Sequence, residues 1–151
     1  MELDDLLSGS EQAIIDEAVA ALARAHAAHY QTAGESFTRE RLTHLFALVV
    51  AAIRERDVTE VVAHSERIAE ERFASGFGIS EVQTAYNVLE EAMWRAVVVG
   101  QPPDRLAESI GLLGTALGAG KDAMARTYVS LASSRHVPSL DLSALFTGIQ
   151  A

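Results

Sequence analysis

His26 and His29 stand three residues apart on one predicted helix, a spacing at which two imidazoles could share a metal ion. No carboxylate lies at a matching helical spacing, so two surface histidines are the simpler reading. Glu70-Glu71 and Glu90-Glu91 are adjacent carboxylates of the type used for acid–base work. Neighbours on a helix point about 100° apart, so each pair reads more simply as a solvated face. Gly114 to Lys121 is the nearest approach to a phosphate loop, but its spacing is wrong and it falls inside a helical pattern. Gly-x-Ser-x-Gly and His-Glu-x-x-His are both absent. With no cysteine, the chain has no disulfide, no thiolate metal site and no cysteine nucleophile. An enzyme built on Arg72, His64 and the neighbouring glutamates would require those groups to converge in a polar cavity. Nothing in their spacing demands it.

The elements that must position these residues are helices. The chain has 151 residues, one domain's length, and 49% are apolar, enough for a packed core. Twelve Lys and Arg against 21 Asp and Glu leave a net charge of −9, which argues against a nucleic-acid partner. Met1 to Ser10 is acidic, with no basic segment leading into an apolar stretch. The longest apolar run, Leu45 to Ile53, rises only about 14 Å as helix, half of a bilayer core. No membrane partner is expected, and the location expected is the cytoplasm.

Helix one is expected from Ser10 as N-cap to about Gln31, ended by Gly34, with Ile14, Ile15, Ala18, Val19 and Leu22 on one face. Helix two should run from near Thr38 to about Glu55. Its middle is apolar all round, which predicts a helix buried on every side at the centre of the fold. Helix three opens on the capping pattern Asp57-Val58-Thr59-Glu60, presents Val61, Val62, Ile68, Ala69 and Phe73, and stops at Ser75-Gly76. Helix four opens with Ser80-Glu81-Val82-Gln83 and ends before Gly100, with Val82, Tyr86, Leu89, Met93 and Val97 as its stripe. Helix five begins near Pro103-Asp104 and continues to about Ser134. A further short helix is predicted over 141–146. No alternation typical of strands lasts long enough to count.

Helix five carries Ala107, Gly111, Gly114, Gly118 and Ala125 broadly along one ridge. Each glycine costs a helix interior about 0.8–1 kcal/mol against alanine, so a ridge of them calls for a reason. A close helix crossing within the monomer, a homodimer contact and the floor of a small pocket all supply one. Trp94 lies off the helix-four stripe beside Glu90 and Glu91, at a helix crossing or as an interface anchor.

The segment from Glu71 through Ser75-Gly76 and the capped Ser80-Glu81-Val82-Gln83 to Tyr86-Asn87 resembles globin-type sensor domains of bacterial signalling proteins. In particular it resembles the N-terminal sensor domains of stressosome RsbR-type proteins, which have a globin-like fold without haem. That resemblance implies an all-α, globin-like bundle of five to six helices over 1–151, non-catalytic and without a cofactor. It also implies a homodimer that meets other signalling proteins in a stress response. Family members carry a C-terminal output domain such as a STAS domain. This chain is therefore expected to be a standalone protein or the input part of a longer one. Haem-binding relatives place a histidine shortly before the Gly turn. Here that position is Arg72, which offers no neutral nitrogen, and His64 would reach a haem only if its helix were rotated. A haem sensor and a dimerisation module of a kinase are the alternative readings. The expected ligand pocket is His64, Arg72, Phe73 and Tyr86; the expected dimer interface is Trp94, Gly111, Gly114 and Gly118.

Overall fold

The computed structural model describes residues 1–25, 27–76 and 78–136. They form seven α-helices and one 3-10 turn, with no strand among the described residues. The order is α1 (Leu3–Gly9), α2 (Glu11–Arg24), α3 (Ala28–Ala33), α4 (Glu35–Glu55), α5 (Thr59–Ala74), α6 (Ser80–Gly100), the 3-10 turn Pro103–Arg105 and α7 (Leu106–His136). The all-α expectation holds, with one or two more helices than the periodicity suggested. The short helix expected over 141–146 lies outside the described residues.

α1 has no counterpart among the predicted elements. Leu3, Leu6 and Leu7 follow the i, i+3, i+4 spacing of a helix face, and Leu3 and Leu7 are buried. They settle against α4 and α6, and a β-carbon added at Gly100 would collide with the Leu6 side chain. Ser10 does precede α2, but its side chain makes no capping bond. Instead α1 leads straight into α2, and the Ser10 N–H donates to Leu7 O at 3.0 Å.

The single helix expected up to Gln31 is broken. α2 ends at Arg24, Ala27 is extended (ψ 106°), and α3 turns the chain toward Gly34. Nothing in this alanine-rich stretch forbids a continuous helix. The break buries Ala27 and Tyr30, and that tertiary gain overrides local propensity. Gly34 takes φ +94°, a conformation open to glycine and strained for other residues, which lets α4 start at Glu35 rather than Thr38. Thr38 then sits inside the helix, its hydroxyl donating to Gly34 O at 3.1 Å.

α4 is the centre of the fold: α1, α2, α3, α5, α6 and α7 all pack on it. Leu42, Leu45, Phe46, Val49, Val50, Ala52 and Ile53 are buried. The run is not buried on every side, because Ala47 is exposed and Leu48 and Ala51 are half-buried. α4 ends on Arg56 in the left-handed conformation (φ 55°), whose guanidinium folds back to Ile53 O at 2.8 Å. Asp57 then accepts from the Thr59 N–H and hydroxyl, so a short turn opens α5 in place of the reciprocal capping box. At α6 the N-cap residue is Ile79 and makes no side-chain capping bond; Ser80 is already helical.

The most extensive helix pairing joins α5 to α7. Gly120 explains it. A β-carbon there would lie 2.9 Å from Ser65 Oγ and 3.0 Å from both Tyr86 Cε2 and Val61 Cγ1. A close crossing does form on α7, but at Gly120, which lies off the ridge where one was expected.

Candidate functional site

α5 turns an unusual stripe inward. Val61, His64, Ser65, Ile68, Ala69 and Arg72 are its buried residues, so three of the six positions are polar or charged. Val62 and Phe73, expected on that face, are only half-buried. His64, Ile68 and Arg72 recur at every fourth residue, one above another, and they face Val82, Ala85 and Tyr86 of α6 across a crevice closed by Tyr30 and Arg41.

Three of the four expected pocket residues, His64, Arg72 and Tyr86, thus meet. Phe73 does not join them. It follows Arg72 by one position, about 100° around the helix, and its ring meets Tyr128 of α7 edge-on at 5.3 Å. The crevice holds only about 20 Å³, room for roughly one water. A porphyrin does not fit there. His64 needs no helix rotation to face the interior, yet its ring is packed edge-on against His44 at 4.8 Å.

Electrostatics in the crevice suppress ionisation of its neutral groups. His64 is pushed down to about 4 by burial and then by His44, Arg67 and Arg41 around it, so it stays neutral near pH 7. Tyr86 is pushed up to about 12, chiefly by burial. Its hydroxyl shares a 2.8 Å hydrogen bond with Ser65, which also donates to Val61 O at 2.8 Å. Burial also raises Tyr30, against the opposing pull of Arg72 and Arg41. The Arg72 guanidinium lies 5.9 Å from the Tyr30 ring centre, while Arg41 stacks 4.9 Å from Phe37 and pairs with Glu71 at 3.6 Å. This is a packed polar seam between α4, α5 and α6, with little space for a substrate.

The expected interface residues lie on the opposite side of α6 and α7. Trp94 is 45% exposed and, with Asn87, Glu90 and Glu91, borders a surface hollow of about 270 Å³. Gly111, Gly114 and Gly118 are exposed, and a β-carbon added to any of them meets nothing within 4 Å. They make no helix crossing within the monomer. The Glu90–Lys121 pair, 2.7 Å long, ties α6 to α7 beside them. Trp94 is one turn from Glu90 and Gly118 three residues from Lys121, so tryptophan and glycine ridge flank the same ion pair. Val98 and Val129 extend this surface and escaped notice in the sequence. Their signal was spacing: Val98 follows Trp94 by four, and Val129 follows Ala125 by four.

Among the described residues no group of three or more His, Asp or Glu side chains could hold a metal ion. His26 lies outside the described residues, and His29 falls on α3. Glu71 and Glu90 are each engaged in ion pairs with Arg41 and Lys121. No helix among the described residues is long and apolar enough to cross a membrane.

No curated protein and no solved structure matches the chain. The sequence pattern of one family does, over residues 12–136, from the first turn of α2 to the end of α7. The resemblance read between α5 and α6 thus extends through all the helices but α1, and the chain belongs to the RsbT co-antagonist protein rsbRD N-terminal domain family.

Proposed function

We propose that this chain is a non-catalytic sensory or regulatory input domain of a bacterial stress-signalling protein. It works in the cytoplasm as a globin-like homodimer and passes a conformational signal to partner signalling proteins. The observation that carries this reading is the family match across residues 12–136. The geometry supports it in two ways. The central crevice is filled by its own side chains, and the exposed surface of α6 and α7 combines Trp94 and Val98 with an open glycine ridge.

A glycine ridge exposed to solvent costs α7 helix stability without any return inside the monomer. A second copy laid along it would recover that cost through close backbone approach, with Trp94 as the aromatic anchor. Light scattering across a dilution series tests this. The dimer is expected in the unaltered chain, and Trp94→Ala or Gly114→Glu should weaken it by at least about tenfold, the effect of losing one central anchor. A strict monomer at every concentration would reject the dimeric reading.

A further inference from the structure

A cavity larger than the crevice at His64 lies elsewhere in the molecule. It is a cleft of about 370 Å³ between α2, α3 and the start of α4, a size typical of small-molecule sites. Val19 and Ala23 of α2 and Tyr30 of α3 form an apolar wall; Asp16, Glu35 and Arg39 form the polar rim. Arg39 bridges the rim, 2.8 Å from Asp16 and 3.8 Å from Glu35. One guanidinium against two carboxylates leaves these rim groups at −1. An anionic ligand would be repelled, whereas an ammonium group finds Glu35, whose carboxylate is largely exposed and only loosely held by Arg39.

We propose that this cleft binds a small cationic amphiphile, with an apolar body against Val19, Ala23 and Tyr30 and an ammonium head at Glu35 and Asp16. The architecture around it suits a sensor. α3 is six residues long, without a side-chain cap at its start, and is set between extended Ala27 and left-handed Gly34. Tyr30 lines both this cleft and the inner crevice, where it meets Arg72 of α5. An occupant pressing on Tyr30 therefore acts on α5, the helix most extensively packed on α7.

The proposal rests on the sensory reading and names the class of its ligand. Its test uses the whole chain and three probes with one apolar body: n-octylammonium, n-octanol and n-octanoate, each below its micelle-forming concentration. Calorimetry should show saturable binding of n-octylammonium at one site, with n-octanoate about fivefold weaker or worse. Shortening the probe to n-hexylammonium should cost about fourfold per methylene. Asp16→Asn with Glu35→Gln should erase the preference for the cation, and Ala23→Phe, on the exposed side of α2, should fill the cleft and abolish binding. Amide shifts in the unaltered chain should centre on α2, α3 and the start of α4. Equal or tighter binding of n-octanoate, binding indifferent to Ala23→Phe in a folded variant, or shifts centred on the Trp94 surface would overturn the proposal. A chain that dimerises yet binds none of the probes rejects this ligand and leaves the sensory reading standing.

Discussion

At the scale of single residues, two kinds of glycine on α7 carry opposite expectations. Gly120 is enclosed by Ser65, Tyr86 and Val61, so Gly120→Ala should destabilise the chain by about 1–3 kcal/mol through overpacking. Gly111 faces open space, so Gly111→Ala should stabilise the monomer by about 0.5–1 kcal/mol through helix propensity alone. Urea denaturation at dilute concentration reads both. His64 supplies a pH signature. Its folded value, about 4, lies below the ordinary 6.5, so the unfolded chain takes up a proton first as the pH falls. Its contribution is intact above about 6.5 and is lost progressively toward pH 4, at no more than about 1.4 kcal/mol per pH unit. His64→Leu should flatten that part of the stability–pH curve while leaving the carboxylate-driven loss at lower pH.

At the scale of elements, α1 is the sharpest case, because it lies outside the family match and still completes the core. Leu7 is fully buried between α4 and α6, and Leu7→Ala should cost about 2–5 kcal/mol by thermal or urea unfolding. The ion pair that also fastens α1, Arg54 to Asp4 at 3.1 Å, is open to water on its arginine side and half-buried at Asp4. Arg54→Ala should therefore cost no more than about 1 kcal/mol. If the two variants were equally damaging, α1 would be held by charge and not by burial. The element boundaries show where sequence reasoning was strong. α4, α5, α6 and α7 were legible from their apolar spacing, and the turn at Ser75-Gly76 from its glycine. The break after Arg24 was not legible, since Ala25 and Ala27 favour helix and yield only to the burial of Tyr30. Phe73 and Arg72 were both assigned to the pocket, although neighbours on a helix point about 100° apart and cannot both face it. Packing kept Arg72 inside and turned Phe73 toward Tyr128 of α7.

At the scale of the whole molecule, charge and interface act against each other. Two copies at −9 each repel, while the glycines proposed to meet are uncharged. Added salt screens the repulsion over about 10 Å at 0.1 M and less at higher concentrations. The dimer should therefore tighten as salt is raised, as read by sedimentation equilibrium. A dimer that loosens instead would depend on ion pairs across its interface and not on the α6–α7 ridge.

Much of this protein was settled by its sequence alone. The 3.6-residue periodicity made it all-helical, the nine-residue apolar run made α4 central, and the motif between α5 and α6 pointed to its family. These are local properties, written in neighbours a turn or two apart. The tertiary structure decided which small residues are crossings and which are open surface, why α2 stops where it does, and where free volume lies. Gly120 and Gly118 are alike in sequence and differ only in what packs against them. The 370 Å³ cleft has no sequence signature, because its walls come from three helices that meet only when the chain folds.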